Sequence, residues 1–504
     1  ENNESSTGSD SPSESKTEGP VDPFMKYEPA IDMFVGQFVG NDQSFPSGED
    51  PTSNAAYDLF KEYVGINFVP LFTAPFGGPY HERLKLAIST DDIPDMSFCS
   101  IDELEMLIKG DMIEDLTPYY EKYASENLKK LLGYNNDVSF TAAVKDGKIM
   151  ALPSVVDASN GVALMYIRQD WLDALELPVP ATMEEVFETA RKFVQNDMGT
   201  SGSRGYTIGI SFSKEFGEPF NAMMNAFGAY PGIFKLDNDN KMTYGSIDPK
   251  VRDVLEMMNE LYNDGVFDKE IAIIDGNKAA QYIAAGRVGI YFGQFWNPLW
   301  PLHDTVKNYP DANWVAYPVP GAQGIEHKPY SPLNVNGYYY VRKGYANPEA
   351  IIIAMNHFIE GMFGNENEFG LAWSEKEKSE TYRGRMMHSW LPFFVDRPDK
   401  NLQYSQNLVK AVEANDVSLL TSTAEIDLFS QMDISDINNW PWHKIYLNSI
   451  PALNEYRERM FNAYLGAPTA TMSQIGSVLA AKEEEAFISI IVGEKPITAF
   501  DTFV

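Results

Sequence analysis

The densest group of aromatic side chains in the chain is Tyr291–Trp300, which reads YFGQFWNPLW. It follows a predicted strand that ends at Phe292, so it lies at the carboxyl end of that strand, which faces the ligand crevice in open α/β sheets. Flat aromatic rings suit the apolar faces of sugars, and short polar neighbours can bind the hydroxyls. The pattern predicts ligand contacts from Phe295 and Trp296, with core packing as the alternative. We expect Trp300 to act more on stability.

Two carboxylates follow predicted strands, where they could bind an uncharged polyol. Asp102 comes after the strand Met96–Cys99, with Ser100 beside it, and Asp157 comes after Ala151–Val155. A carboxylate accepts hydrogen bonds from two adjacent hydroxyls. The alternative for the first pair is a helix N-cap formed by Ser100 or Asp102. The alternative for Asp157 is a polar hinge residue.

Sequence motifs for catalysis and cofactor binding are missing. None of the six histidines forms HExxH or stands at zinc spacing to another, and no GxSxG, Walker or Rossmann glycine pattern occurs. The single cysteine, Cys99, lies in an apolar strand and is predicted to be an inert buried thiol. We therefore expect no cofactor. A glycosidase needs only two well-placed carboxylates, so that class stays open.

Charge and hydropathy narrow the possible partners. Lys and Arg number 39 against 72 Asp and Glu, which gives a net charge of −33. Such a chain is poorly suited to nucleic acid or to an anionic membrane face. No apolar run approaches the roughly 20 residues of a membrane span. The 504 residues, 44% of them hydrophobic, are enough for two large domains with ample cores.

Predicted strands and helices alternate along the chain. Strands at Ala30–Phe38, Ile66–Phe72 and Met96–Cys99 are separated by segments with helical spacing, and the alternation resumes after residue 161. This order is typical of parallel sheets covered by helices, so we expect two α/β lobes. Polar, turn-rich segments at Ser154–Gly161 and Ser331–Asn336 predict two chain crossings between the lobes. Such crossings would form a hinge beside a cleft.

The first 20 residues differ from the rest of the chain. They contain six serines and five acids against one lysine, with no aliphatic or aromatic residue. A segment of this composition cannot form a core, so it is predicted to be disordered. We interpret residues 1–23 as an acidic, serine-rich spacer ahead of the folded body.

Several segments, in their order and spacing, resemble the extracellular solute-binding proteins of ABC importers. The clearest are Ile93–Phe98 (IPDMSF), Lys148–Pro153 (KIMALP) and Met165–Leu172 (MYIRQDWL). Shorter matches are Tyr244–Ser246, Gly293–Trp296 and Gly466–Met472. The resemblance is to solute-binding protein family 1, the carbohydrate-binding family that includes maltose-binding protein, in its long Gram-positive lipoprotein form. It covers nearly all of residues 25–504.

The resemblance implies a fold and a function. The fold is α/β and periplasmic-binding-protein-like (type II), with two lobes, each a mostly parallel sheet flanked by helices, joined by a hinge. The expected lobes are residues 24–155 plus 338–395 and residues 156–337 plus 396–504. An oligosaccharide would be trapped between them and passed to the membrane permease, without catalysis or cofactor. The alternative functions are a secreted glycoside hydrolase or lyase, and a binding protein for peptides or opines that uses Arg168.

The same resemblance suggests which residues touch the ligand. Phe220 resembles an aromatic platform of the second lobe, and Trp296 resembles a stacking tryptophan. The full set implied is Gln37, Phe38, Ser100, Asp102, Asp157, Phe220, Asn221, Phe295, Trp296, Asn336 and Trp390.

One departure from the family concerns metal. Many relatives bind calcium in a loop after the helix that corresponds to Thr182–Val194. Here Asn196–Ser203 holds one acid, Asp197, which is too few for the six to eight oxygen ligands of calcium, so we expect no metal. The resemblance further implies a monomer on the outer face of the cell membrane. Its attachment would be an N-terminal lipid anchor that lies outside this chain.

Overall fold

The structure is a computed structural model. It describes residues 21–40, 43–133, 138–157, 159–199, 206–236, 239, 241–331, 334–364, 367–383, 385–420, 422–455, 457–461 and 469–504. The predicted acidic spacer therefore lies outside the described residues, apart from residues 21–23.

The strands fall into two main sheets and two small hairpins. In chain order they are β1 (Ile31–Val39), β2 (Ile66–Pro75), β3 (Met96–Cys99), β4 (Val144–Lys145), β5 (Lys148–Ile149), β6 (Leu152–Val155), β7 (Leu164–Arg168), β8 (Ile208–Ile210), β9 (Phe234–Leu236), β10 (Met242–Tyr244), β11 (Val288–Gly293), β12 (Trp314–Tyr317) and β13 (Val335–Val341).

The α-helices cover both sheets, and short 3₁₀ and π turns extend several of them. They are α1 (Ala55–Leu59), α2 (Gly78–Ser89), α3 (Ile101–Lys109), α4 (Thr117–Tyr123), α5 (Glu126–Leu132), α6 (Gln169–Ala174), α7 (Met183–Gln195), α8 (Gly217–Ala226), α9 (Pro249–Asn263), α10 (Gly276–Ala284), α11 (His303–Asn308), α12 (Ala350–Ile359), α13 (Glu368–Lys378), α14 (Lys400–Ala414), α15 (Thr423–Phe429), α16 (Trp440–Lys444), α17 (Ile450–Asn454), α18 (Ala470–Ile491) and α19 (Ala499–Phe503). Within the described residues, none of these helices has the length and apolarity that crossing a membrane requires.

The first sheet has the strand order β2-β1-β3-β13-β6. β1 pairs in parallel with β2 and with β3, whereas β13 pairs antiparallel with both β3 and β6. Four of its five strands therefore run in one direction. The central β3 is buried along its whole length, which is why its sequence, MSFC, is a short apolar run without alternation.

The second sheet has the order β12-β7-β11-β8, with β7 antiparallel to its neighbours and β11 parallel to β8. Each sheet has one strand that runs opposite to the others, β13 in the first sheet and β7 in the second. In both cases it is the first strand that the chain forms after it crosses from the other sheet. The chain leaves the end of β6 to start β7, and leaves β12 to start β13. The two predicted crossings therefore connect the sheets, and the carboxyl ends of the remaining strands face the same junction.

Two separate sets of buried side chains form the lobe interiors. One core, in the N lobe, draws on residues 27–155 and 338–395. The C lobe has two packed clusters from residues 162–319 and 408–500. A third crossing joins them, where the Asp396 backbone N–H donates to the Val155 carbonyl oxygen at 2.9 Å. The two-lobe α/β expectation is confirmed, while the predicted lobe boundaries stay predictions.

Candidate functional site

A cavity of about 500 Å³ lies at the carboxyl-end edge of the N-lobe sheet. Its apolar wall is built by Phe38 in β1, Phe76 just after β2 and Phe98 in β3. The ring centroid of Phe38 lies 5.3 Å from that of Phe76 and 6.1 Å from that of Phe98. Phe76 is 54% exposed, although it is a large apolar side chain. An exposed aromatic wall at this edge suits the apolar face of a sugar ring.

The same cavity has polar groups on its other side. Tyr339 Oη accepts a hydrogen bond from the Phe394 backbone N–H at 2.8 Å and lies 3.3 Å from Ser154 Oγ. Burial raises the pKa of Tyr339 to about 12, so its hydroxyl is neutral at physiological pH. Asn336 is exposed and lines the cavity next to these residues. These groups can exchange hydrogen bonds with ligand hydroxyls.

Gln43 and Ser389, which line the cavity, each have a buried polar atom without a hydrogen-bond partner in the part of the chain that is described. These atoms are Gln43 Oε1 and Ser389 Oγ. The amide nitrogen of Gln43 is already used, because Nε2 donates to the Ser389 carbonyl oxygen at 2.5 Å. Unsatisfied polar atoms are costly inside proteins, so their presence beside a cavity favours a polar ligand that completes them.

Two further predicted contacts lie near this cavity but do not line it. Gln37 is fully buried, and its Oε1 accepts from Tyr57 Oη at 2.5 Å. Trp390 is also fully buried and stacks on Phe45 at 4.9 Å, although its neighbours in sequence line the cavity. Both side chains therefore pack inside the N lobe and present no surface to the cavity.

Ser100 and Asp102 lie at the start of α3. Ser100 Oγ accepts from the Glu103 backbone N–H, and Glu103 Oε2 accepts from the Ser100 backbone N–H at 2.9 Å, which completes a capping box. The alternative reading of Ser100 as an N-cap is thus confirmed. Asp102 is exposed in the first turn of the helix and lines none of the cavities described here.

Asp157 lies in the first crossing between the lobes and is 3% exposed. Its Oδ1 accepts from the Ser159 backbone N–H at 2.8 Å, and its Oδ2 accepts from the Asn401 backbone N–H at 2.9 Å. Burial raises the pKa of this carboxyl, and the two backbone hydrogen bonds oppose the rise. The side chain ties the first crossing to the start of α14, which fits the hinge alternative.

The C lobe faces the junction with two smaller cavities, of about 260 and 110 Å³, which share Gly217 and Glu218. Glu218 lies in the first turn of α8, and its Oε1 accepts from Gln294 Nε2 at 2.6 Å. Gln294 Oε1 in turn accepts from the Gly161 backbone N–H and from Trp296 Nε1, each at 3.0 Å. One amide therefore connects the hinge, the aromatic segment and a cavity carboxylate.

The predicted aromatic contacts of the C lobe are mostly interior. Phe220 is 3% exposed and stacks on Phe216, with 4.4 Å between ring centroids. Phe295 is buried in the other C-lobe cluster, and Trp296 is half-buried against that cluster. Trp300, in contrast, is 45% exposed and lines the larger C-lobe cavity, which contradicts the expectation that it acts chiefly on stability.

The structure thus brings only part of the predicted set to the cavities. Phe38 and Asn336 line the N-lobe cavity, and Asn221 lines the smaller C-lobe cavity. Sequence reasoning missed Phe76, Phe98, Tyr339, Phe394, Glu218 and Trp300. The signal for Glu218 was available, because it stands two residues before the predicted Phe220 in the same segment.

Arg168, the key residue of the peptide or opine alternative, lies away from these cavities. It ends β7, at the edge of the C-lobe sheet opposite the crossings, and is 2% exposed. Its Nε donates to Asp170 Oδ1 at 2.8 Å, and the guanidinium carbon lies 4.6 Å from the Trp171 ring. This placement gives Arg168 no contact with a ligand between the lobes.

The absence of metal stays a prediction. The described residues contain no group of three or more His, Cys, Asp or Glu side chains that could hold a metal ion. Of the predicted loop, Asn196–Gly199 is described and residues 200–203 lie outside the described residues. Cys99 is buried as predicted, and burial raises the pKa of its thiol above the usual range.

Comparison with known proteins adds family information. Residues 46–360 match the family model described as bacterial extracellular solute-binding protein. The fructooligosaccharide ABC transporter substrate-binding protein FusA of Streptococcus pneumoniae serotype 4 is 25% identical over 265 residues, which are 49% of this chain and 47% of that protein. Lipoprotein LipO of Bacillus subtilis is 22% identical over 251 residues, again 49% and 47%. The chain therefore spans about half the length of these curated relatives.

A solved structure extends the likeness to nearly the whole chain. The HMO-binding, ABC-transporter-associated solute-binding protein from Bifidobacterium longum infantis superposes with a TM-score of 0.62 and covers 94% of each chain. The two sequences are 13% identical, so the likeness concerns the fold.

Proposed function

The chain belongs to the family of bacterial extracellular solute-binding proteins, and we propose that it captures an oligosaccharide between its lobes and delivers it to the membrane permease of an ABC importer. The observation that carries the oligosaccharide part is the N-lobe cavity. It combines an exposed aromatic wall with neutral polar groups, two of which are buried without partners among the described residues. Apolar faces and hydroxyl edges of sugars match these two kinds of surface.

Capture would use both lobes. The N-lobe cavity would hold a sugar ring by stacking, and the smaller C-lobe cavities would supply hydrogen bonds through Glu218 and Asn221. We include Phe38, Asn336 and Trp296 of the sequence-derived set among the contacts. Three chain crossings, one of them held by Asp157, form the hinge, so a bound ligand can shift the population toward a closed arrangement. We keep the lobe boundaries expected from the sequence.

The proposal includes no catalysis, cofactor or metal. A glycosidase places two carboxyl groups on either side of the scissile bond. Among the described residues that line the N-lobe cavity there is no Asp or Glu. The described carboxylates of the C-lobe cavities, Glu215 and Glu218, lie on one lobe only. This asymmetry supports a binding protein over a hydrolase or lyase.

Location and assembly are further parts of the proposal. We place the protein outside the cell as a monomer, held at the outer face of a Gram-positive membrane by an N-terminal lipid anchor. Support comes from the similar protein named lipoprotein LipO and from the family, whose description is extracellular. The net charge of −33 keeps the body soluble and away from an anionic lipid surface.

The decisive experiment is calorimetric titration with a panel of purified neutral and acidic oligosaccharides of three to six units. We expect micromolar or tighter binding of at least one member, without product on chromatography after prolonged incubation. Small-angle scattering with that ligand should give a smaller radius of gyration than the free protein. Binding of no sugar in the panel, or product formation at enzymatic rates, would overturn the proposal.

A further inference from the structure

The cavities at the lobe junction share an electrostatic property. The described residues that line the N-lobe cavity include no Lys, Arg, Asp or Glu. Those of the two C-lobe cavities include Glu215 and Glu218 but no Lys or Arg. The described histidines of these linings are His388 in the N-lobe cavity and His327 in the smaller C-lobe cavity. Burial lowers the pKa of His327 to about 4, so His327 is neutral at physiological pH. The described lining therefore has no Lys, Arg, Asp or Glu on the N lobe and carries carboxylates on the C lobe.

Glu218 is the better placed of the two carboxylates. It lines both C-lobe cavities, whereas Glu215 lines the larger one and accepts from the Gly276 backbone N–H at 2.9 Å. The hydrogen bond from Gln294 fixes Glu218 through Oε1, and Oε2 makes no hydrogen bond to any described residue. α8 is ten residues long, and its N-terminal end favours a negative charge at this position. A fixed carboxylate with one oxygen available can accept from ligand hydroxyls.

The cations nearest in sequence to the hinge are already engaged. Lys400 Nζ lies 2.5 Å from Asp396 Oδ2, and Arg397 Nε lies 3.7 Å from Asp399 Oδ1. Arg457 donates to Ser159 Oγ at 3.3 Å and lines none of the three cavities. Arg459 lies close enough to His327 to contribute to its lowered pKa, but it also lines none of the three cavities. Among the described lining residues, a ligand carboxylate would therefore meet the Glu218 carboxylate and no Lys or Arg. The net charge of −33 adds a long-range repulsion that slows the approach of a polyanion.

We propose that the protein selects uncharged oligosaccharides against those containing uronic acids, with Glu218 as the specificity-determining residue and Gln294 as the residue that positions it. The inference rests on the proposed function and names the ligand class of that same site. A neutral sugar gains hydrogen bonds to the Glu218 carboxylate. A uronate of the same shape lacks one hydroxyl donor and places a negative charge near the Glu218 carboxylate. The repulsion between the two charges disfavours the uronate and so contributes to specificity.

The test uses pairs of trisaccharides that differ only in oxidation of the C6 hydroxymethyl group to a carboxylate: β-1,4-glucan, α-1,4-galactan and β-1,4-mannan trimers and the corresponding uronates. Each is titrated calorimetrically into the full chain at low and high salt. For every pair that binds, we expect the uronate to bind at least about tenfold more weakly, and the difference to narrow in high salt because ions screen the repulsion.

Variants assign the effect to the residue. Glu218→Gln keeps the shape and removes the charge, so we expect weaker binding of the neutral sugar by about three- to tenfold and a smaller gap between neutral and acidic partners. Glu126→Gln is the matched control, because Glu126 also lies in the first turn of a helix but is 91% exposed on the N lobe. Gln294→Ala should weaken binding in the native background and have a smaller effect once Glu218 is replaced, as a double-mutant cycle reports.

The outcomes distinguish failure of the proposed function from failure of the selection for neutral ligands. Binding of neither member of any pair overturns the proposed function and this inference with it. Equal or tighter binding of the uronates leaves the oligosaccharide function standing and overturns the selection for neutral ligands, with Arg457 as the first residue to examine. A neutral preference that Glu218→Gln leaves unchanged overturns the assignment to Glu218. Melting temperatures of all variants, expected within about 2 °C of the native protein, exclude misfolding as the cause.

Discussion

The two lobes offer different surfaces to the space between them. The N-lobe cavity is about 500 Å³ and is walled by rings from strands β1 and β3, from the end of β2 and from β13. The C-lobe cavities are about 260 and 110 Å³ and combine aromatic rings, such as that of Trp300, with Ser and Asn side chains and the carboxylates of Glu215 and Glu218. The clearest contrast is charge, since carboxylates line the C-lobe cavities and none of the described residues of the N-lobe lining is an Asp or Glu, while the C-lobe ring of Phe220 is buried in the core.

This difference suggests that the two lobes contribute differently to affinity and to selectivity. Stacking on an apolar wall depends on buried area and tolerates many sugars, so it supplies affinity with little discrimination. Hydrogen bonds and fixed charges are directional, and a mismatch leaves a polar group unsatisfied, so they supply selectivity. We therefore expect N-lobe substitutions to weaken binding of all ligands alike and C-lobe substitutions to change the ranking among ligands.

The largest expected effect is on stability, at Phe220. Phe220→Ala removes a ring that stacks on Phe216 and lies 6.1 Å from Phe487, so it should cost about 3–5 kcal/mol of unfolding free energy. Thermal and urea unfolding measure this cost, and Asn221→Ala, at the exposed next residue, is the control. Calorimetry below the melting transition should show unchanged sugar affinity. A strong loss of binding with native stability would instead make Phe220 the aromatic platform that the sequence resemblance implies.

The next effect concerns pH and the smaller C-lobe cavity. Burial lowers the pKa of His327 from 6.5 to about 4, so between these values the unfolded chain binds the proton and the folded chain does not. Its contribution to stability is complete above pH 6.5 and is lost as pH falls toward 4, by about 3 kcal/mol at most. Urea unfolding of the native protein and of His327→Gln at pH 7.5 and 4.5 measures the contribution of His327 to the unfolding free energy. The difference in unfolding free energy between the two proteins should change with pH. A constant difference would contradict the lowered pKa of His327.

Phe76 gives the sharpest test of the N-lobe wall. Its ring is 54% exposed, so Phe76→Ala should barely change the melting temperature but remove a stacking surface worth about 1–3 kcal/mol, or tenfold to hundredfold in affinity. Leu71→Ala is the control, because Leu71 is 43% exposed on β2, the strand that precedes Phe76, and does not line the cavity. Equal effects of the two substitutions on binding would contradict an aromatic wall in the N lobe.

Local signals in the sequence predicted the elements well. β3 has the predicted bounds Met96–Cys99, and α9 begins at Pro249 with Asp248 as its N-cap, a pair that is typical of a helix start. The hairpin between β4 and β5 turns at Asp146-Gly147, where both residues adopt positive φ, as is typical of an Asp-Gly pair in a tight hairpin. Such signals depend on neighbours within a few residues, which is why they can be read without the fold.

The site was predicted less completely because burial depends on distant partners. Phe220 is covered by Phe487, which lies in α18 near the end of the chain, and Trp390 is covered by Phe45 from the beginning. No local pattern distinguishes these rings from the exposed Phe76. Only the order of strands in the sheet shows that separate segments supply one cavity wall.

The smallest expected effect is at Asn336. Its substitution tests whether N-lobe groups contribute to affinity without changing the ranking among sugars. Asn336 is exposed at the start of β13, at the end of the second crossing, and lines the cavity near Tyr339 and Ser154. One hydrogen bond contributes about 0.5–1.5 kcal/mol net, so Asn336→Ala should weaken every bound sugar by about two- to tenfold. Because other N-lobe groups dominate the contact area, the ranking among sugars should stay the same.

Asn263→Ala, at the exposed end of α9, serves as the control. Calorimetry across the oligosaccharide panel decides the question: a changed ranking would show that the N lobe also selects its ligand, and the contrast between the lobes would then be one of degree.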